Sequence, residues 1–327
     1  MRPQIVVPRR PSPPWLPDSL DAGIALAIGA ALVSGVAVYL NAFAVRQVPD
    51  PAVYTTLKNA VAAVVLLGLL GPRGMTGIRA IPAARWPAIL AVGVVGGSVP
   101  FVLFFTGLAA ASAPSAAVIH KTLVLWVALL ALPVLGERAG IALVVGLAGL
   151  LLGQALVLPP RGIVWGPGET MILAATLLWA IETVLVRRLL GTTPTGVLAT
   201  LRMGLGVVLL AGFLVVTGRA TGVAAVTPAG WAWVALTGAI LAGYVATWFA
   251  ALRRAPATVV TSVLVLGAVV TGGLSAATSG TAPSGSALVG FGAIVAASVL
   301  VVGWARAAAR GVASATARRL APEPSDG

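Results

Sequence analysis

Two nitrogen bases stand side by side inside an apolar run: in VIHKTLVLWVALL, Val118 to Leu130, His120 precedes Lys121. An imidazole exchanges protons near neutral pH, and an ammonium withdrawn from water can do so too, whereas a guanidinium stays charged. The other lysine of the chain, Lys58, lies in TTLKNAVAAVVLLGLL, where Thr55, Lys58 and Asn59 fall on one face of a helix. Tyr244, Thr247 and Trp248 share a second such face, and Phe101, Phe104 and Phe105 flank Pro100. Unneutralised positive charge favours an anionic or zwitterionic solute, and hydroxyl and aromatic groups around it suit a small organic acid or amino acid. The candidate substrate-binding residues are therefore Lys121, Lys58, His120, Asn59, Thr55, Tyr244, Trp248 and Thr247. Glu182 and Arg202 are expected to form a structural ion pair, because they lie at similar depth and Glu182 is the one carboxylate in the middle of an apolar segment. Simpler readings stay open: Lys58 snorkels outward, His120 only hydrogen-bonds a neighbouring helix, and the aromatic residues only pack. No phosphate loop, zinc spacing or nucleophile triad is present and the chain has no cysteine, so neither an enzyme nor a metal or cofactor site is expected.

What must position these residues follows from the solvent. Of the 327 residues 59% are hydrophobic and 9% charged, with a mean hydropathy of +1.04. A soluble domain carries about 25% charged residues. Apolar runs of 18 or more residues recur, each long enough to cross roughly 30 Å of hydrocarbon at about 1.5 Å per residue. The net charge of +13 lies between these runs, where it sets orientation in a membrane rather than recognising nucleic acid.

Helices are expected at 21–44, 51–71, 86–109, 114–135, 139–157, 168–189, 195–217, 230–252, 256–278 and 285–305. The Pro-rich residues 1–20 and the basic tail 306–327 are expected to be disordered. With the N-terminus in the cytoplasm, fifteen arginines fall on that side and only Arg46, Arg161 and Arg219 outside. A missed or invented span would scramble this asymmetry, so ten spans with both termini cytoplasmic are predicted. Lys58, Lys121 and Arg202 remain within spans.

A shift of 144 residues superposes TTLKNAVAAVVLLGLL on ATLRMGLGVVLLAGFL, placing Lys58 on Arg202. Under the same shift FTGLAAASAP meets FAALRRAPAT, and Gly136 meets Gly280. Five spans per half is odd, so the halves, 21–157 and 168–305, enter the membrane from opposite sides as an inverted repeat. Gly93 with Gly97, Gly149 with Gly153 and Gly290 with Gly292 are read as close-packing positions.

The string ASAPSAAVIHKTLVLWVALLALPVLGERAGIALVVGLAGLLLGQALV from Ala111, with WAIETVLVRRLL from Trp179, resembles EamA-type members of the drug/metabolite transporter superfamily. Leu135, Gly136, Glu137 and Arg138 match that family's Leu-Gly-Glu-Arg turn. The second half departs from it, with SGTAP at Ser279 to Pro283, and Ser34-Gly35 stands where Trp-Gly is common; the plainest role of Glu137 is an interfacial cap. The resemblance implies two five-helix halves around a central site between spans 1 to 4 and 6 to 9, and metabolite export as the commoner direction. The reading of the whole is a secondary transporter of the bacterial inner membrane, working by alternating access with proton coupling. Its expected partners are a small-molecule substrate, the lipid bilayer, a coupling proton and a second copy as homodimer. A flippase or efflux carrier for a hydrophobic drug or lipid-linked solute is the alternative within transport, and a membrane enzyme or assembly subunit the alternative outside it.

Overall fold

The computed structural model of the protein describes residues 19–111, 113–158 and 165–320. All regular structure among them is helical. The first half runs through α1 (Leu20–Ala44), α2 (Pro51–Arg79), α3 (Trp86–Val95), α4 (Val99–Ala110), α5 (Ala113–Lys121), α6 (Leu123–Leu135) and α7 (Ile141–Val157). The second runs through α8 (Pro167–Leu189), α9 (Thr195–Val216), α10 (Pro228–Arg254), α11 (Ala257–Leu264), α12 (Gly267–Ser279) and α13 (Gly285–Leu320). These thirteen helices make ten spans, because α3 and α4, α5 and α6, and α11 and α12 are each one span broken near its middle. Among the described residues nine spans are long and apolar enough to cross a membrane; the tenth, α7, is apolar but has 17 residues.

Local chemistry sets the boundaries. Asp50 caps α2 by accepting from the Ala52 amide at 2.7 Å, and Pro51 occupies the first turn, where no intrahelical donor is needed. Gly71, at φ 64°, turns the chain at the end of the second span, and a further helical stretch continues to Arg79. Gly136 and Gly280 end α6 and α12 in the left-handed conformation, at φ 65° and 67°. They are the pair that the 144-residue shift aligns, so the repeat recurs in backbone geometry as well as in sequence.

The breaks were not all legible. Spans expected as continuous over 114–135 and 256–278 are interrupted at Thr122 and at Val265–Leu266, again 144 residues apart. At Thr122 the hydroxyl donates to the Ile119 carbonyl at 2.6 Å, and the adjoining amides bond three residues back rather than four. The span expected over 86–109 breaks at Gly96–Ser98, and its counterpart α10 does not. Pro100 supplies the difference: lacking an amide proton, it cannot bond the carbonyl four residues back, that of Gly96. The tail expected to be disordered from 306 instead continues α13 to Leu320, since ARAAARGVASATARRL is rich in strong helix formers. The leader 1–18 and residues 321–327 lie outside the described residues.

Packing follows a two-fold relation between the halves. α2 lies against α9, and α7 against α13. α1 packs on α10 as α8 packs on α4; α1 meets α11 and α12 as α8 meets α5 and α6. Each half is thus completed by the other, as in an isologous interface. Small residues permit the approach: an added Cβ at Gly97 would meet the Gly206 Cα at 2.8 Å, and one at Gly153 the Gly290 carbonyl at 2.8 Å. Gly292, expected to pack closely, has open space beside it. Large apolar side chains such as Val64, Leu69, Val208 and Val299 point away from the protein, toward the bilayer.

Contacts at the two ends agree with ten alternating crossings. One end joins Arg85 to the Thr192 carbonyl, Arg253 to the Thr193 carbonyl, and Arg306 to Asp21. The other joins Tyr39 to Thr278, Asp50 to Arg219, and the start of α8 to the end of α4. The first is the arginine-rich end.

Candidate functional site

Pro100 begins the site. The Gly96 carbonyl that it frees accepts from Arg202 Nη2 at 2.8 Å and from Trp179 Nε1 at 3.3 Å. Arg202, on α9, also donates to Glu182 on α8, through Nε to Oε1 at 2.7 Å and through Nη2 to Oε2 at 3.3 Å. Both side chains are almost wholly buried, at 5% and 1% exposure. A fork-to-fork pair of this kind satisfies charge and geometry together. Gly96 is required beside it, because a Cβ there would run into the Glu182 carboxyl. The structure therefore brings Glu182 and Arg202 together and adds a third partner, the broken span, which α3 and α4 contribute.

An aromatic wall adjoins the pair. Phe101 lies 5.9 Å from the Arg202 guanidinium and 5.3 Å from the Trp179 ring. Trp179 in turn meets Phe104 at 5.6 Å and His120 at 5.0 Å, and His120 Nδ1 is 3.5 Å from the Thr176 hydroxyl. His120 thus joins α5 to α4 and α8. Lys121, the next residue, points elsewhere: among the described residues its ammonium has no hydrogen-bond or ion-pair partner, while its carbonyl at the break accepts from Gln154 Nε2 at 3.4 Å.

Lys58 is held toward the opposite end. Its ammonium donates to Asn41 Oδ1 at 3.1 Å and lies 5.1 Å from the centre of the Tyr54 ring. The Tyr54 hydroxyl reaches Asn41 Oδ1 and, at 3.0 Å, Thr237 Oγ1. Asn41 and Tyr54 lie close to the ends of α1 and α2 away from the arginine-rich end, so the lysine stem runs outward inside the protein and its charge stays buried, at 8% exposure. Arg202 occupies the mirror position in the second half, seven residues into α9 as Lys58 is seven into α2. Each aligned cation is bound from the preceding span of its own half.

Between these groups α2 leaves polar atoms unused. Thr55 Oγ1 and both amide atoms of Asn59, one turn apart, are buried without a hydrogen-bond partner among the described residues, as is Trp248 Nε1 on α10. Buried polar groups are nearly always bonded, and Thr193, Thr200, Ser262 and Ser298 share this unpartnered state elsewhere in the protein. Thr55 also lines a cavity of about 160 Å³ between the halves, walled by Phe101 and Phe105 of α4 and Phe213 of α9, with Asp50 and Arg219 at its rim. The rim residues pair at 3.7 Å. Phe101 is common to the cavity wall and to the Arg202 contact, whereas Arg202 and Glu182 themselves do not line the cavity. Tyr244 stacks on Trp248 with ring centres 5.8 Å apart, whereas the Thr247 hydroxyl donates to its own helix, to the Gly243 carbonyl at 2.8 Å.

The residues singled out from sequence thus form separate groups around the interface of the halves. Sequence reasoning missed Asn41, Tyr54, Gly96 and the central place of Trp179. Two signals were available: Tyr54 stands one turn before Lys58 on the same face, and Gly96 stands four residues before Pro100.

Two five-span halves related by a two-fold and enclosing a buried polar interface define a polytopic helical membrane protein. The profile of the EamA-like transporter family matches residues 21–158 and again 166–303. The chain belongs to that family, within the drug/metabolite transporter superfamily, and carries its domain twice. It is a multi-pass membrane protein of a transporter family. A solved structure titled only "Crystal structure of protein" is 22% identical and covers 88% of this chain and 99% of its own, with a TM-score of 0.73, which shows the shared fold. No curated protein matches the chain significantly.

Proposed function

We propose that the chain is a secondary active transporter of a small organic solute, zwitterionic or anionic, such as an amino acid or an organic acid. The observation that carries this reading is the cavity between the halves, lined by Thr55, whose hydroxyl has no hydrogen-bond partner among the described residues, with the unpartnered amide of Asn59 one turn further along α2. Pockets for drug-sized ligands run from about 300 to 1,000 Å³, so a cavity of about 160 Å³ favours a small metabolite over a lipid-linked one. Arg219 and Asp50 at the rim present one charge of each sign to a zwitterion as it enters. The phenylalanines of the wall favour a second reading within transport, an amphipathic solute with an apolar portion.

The arginine asymmetry supports both termini in the cytoplasm of a bacterial inner membrane, with the cavity opening outward. Transport proceeds by rocking of the inverted halves about the site. Export is the direction proposed, with proton exchange at Lys121, whose ammonium has no hydrogen-bond or ion-pair partner among the described residues. A homodimer remains part of the proposal.

Thermal-shift screening of the purified protein against amino acids and organic acids, followed by counterflow of the radiolabelled hits in proteoliposomes, tests the reading. Stabilisation by one class and counterflow of it is the expected result; an absence of counterflow for every stabilising solute would favour a membrane enzyme or assembly subunit. In the same assay Lys121→Ala is expected to abolish flux with normal membrane insertion. Unchanged flux would remove Lys121 from the mechanism.

A further inference from the structure

The turn after α6 holds a buried carboxylate that the site does not use. Glu137 is 6% exposed and belongs to the first half, yet the three hydrogen bonds that its carboxylate accepts among the described residues come from the second. Its Oε1 accepts from the Ala257 amide at 2.6 Å, and its Oε2 from the Thr258 amide at 3.1 Å and the Thr258 hydroxyl at 2.7 Å. These are the first-turn groups of α11, which begins one of the broken spans. Burial pushes the Glu137 carboxyl above its ordinary pKa, and the three donors together with nearby Arg187 pull it back. The contact lies at the arginine-rich end, where the turn between α6 and α7 meets the start of α11.

The repeat says what its mirror image should be. Under the 144-residue shift Glu137 corresponds to Thr281, Ala257 to Ala113 and Thr258 to Pro114. Thr281 is exposed, and its hydroxyl bonds Ser279 Oγ in its own turn at 2.7 Å. Pro114 has no amide proton to give. The opposite end therefore lacks the acceptor and two of the three donors, the amide and the hydroxyl that Thr258 supplies, while the remaining architecture of the turn, Gly136 and Gly280 included, is shared. The cavity opens at that end, the one without the bonds.

We propose that Glu137 is a latch between the halves that holds the arginine-rich, cytoplasmic end shut, and that omission of its mirror contact sets the outward-open form as the resting state. The proposal rests on the alternating-access reading. Each transport cycle then has to break three bonds to a carboxylate at one end and make no equivalent set at the other. Hydrogen bonds to charged groups are individually the stronger kind in proteins, so the latch biases the equilibrium by a large factor.

The chain has no cysteine, so single thiols report cleanly. Thr106→Cys places a thiol in the cavity, and Ser262→Cys places one on α11 inward of the latch, at a fully buried position. Labelling by a membrane-impermeant maleimide, applied to right-side-out and to inside-out vesicles, reads which end is open and needs no solute. The unmodified latch is expected to leave T106C reactive from outside and S262C protected from inside. Adding Glu137→Ala is expected to speed S262C labelling about tenfold or more and to slow T106C, the shift expected from loss of bonds to a charged acceptor. A rate for S262C unchanged in monodisperse E137A overturns the proposal. Should E137A not fold, the converse variant decides: Thr281→Glu with Pro114→Thr supplies the acceptor, the amide and the hydroxyl of the missing contact and is expected to slow T106C labelling, and an unchanged rate overturns the proposal. Because no flux is measured, the latch can fail while transport stands, and the reverse.

Discussion

Arg202 shows how one side chain can serve three elements. It neutralises Glu182, takes the carbonyl that Pro100 frees on the broken span, and faces the ring of Phe101. Removing one member of a buried ion pair leaves the other uncompensated, which costs about 3–5 kcal/mol. Glu182→Gln and Arg202→Ala are each expected to lower the melting temperature in detergent markedly, and the exchange Glu182→Arg with Arg202→Glu to recover part of the loss. Equal losses in the single and exchanged variants would mean that the pair itself contributes nothing. Depth along the helices was enough to pair these two residues from sequence. The same depth argument could not say that Lys58 would bind Asn41, because hydrogen bonding across spans depends on helix rotation, which an apolar sequence barely encodes. For His120 and Lys121, adjacency on a helix meant divergence in space: the imidazole joins the Trp179 cluster and the ammonium does not.

The span divided into α3 and α4 is the element that most shapes the site. It breaks where its counterpart α10 stays whole, and the break supplies both a carbonyl acceptor and the phenylalanines of the cavity wall. Pro100→Ala restores the missing donor, so the helix is expected to close over Gly96–Ser98 and compete with Arg202 for the Gly96 carbonyl. Slower amide hydrogen exchange across residues 96–101 together with reduced flux would bear this out; exchange unchanged in that segment would assign the break to another cause. Gly136→Ala tests a different element boundary. A side chain in the left-handed conformation costs about 1 kcal/mol, and the residue following is the latch. Span positions were legible from apolar run length and from Pro and Gly punctuation. The breaks at Thr122 and Val265–Leu266 were not, because an apolar stretch reads the same whether its amides bond three or four residues back. The helical continuation of α13 was hidden for another reason: arginine and alanine in a tail signal both disorder and helix.

For the molecule as a whole, the repeat is what made the architecture readable. A shift of 144 residues aligned Lys58 with Arg202 and Gly136 with Gly280; the structure places these residues at mirror depths and mirror turns, and the packing of spans across the interface obeys the same two-fold. The halves differ where the two-fold is broken: Pro100 stands where the second half has Tyr244, Glu137 where it has Thr281, and Pro114 where it has Thr258. A symmetric frame gives two equivalent closures, and these substitutions make the closures unequal. Reporter fusions are expected to place both termini on one side of the membrane, the side of the arginine-rich turns; termini on opposite sides would contradict ten crossings.

The proposed path of the solute is the cavity between the halves. Thr106 on α4 and Leu210 on α9 line that cavity from the two halves, and a reducible bifunctional thiol reagent can join cysteines placed at these two positions in the otherwise cysteine-free chain. Counterflow of the radiolabelled amino acid or organic acid that stabilises the protein is then measured in proteoliposomes before cross-linking, after it, and after reduction. Flux is expected to stop with the cross-link and to return with the reductant; full flux through the cross-linked protein would mean that the solute takes another path.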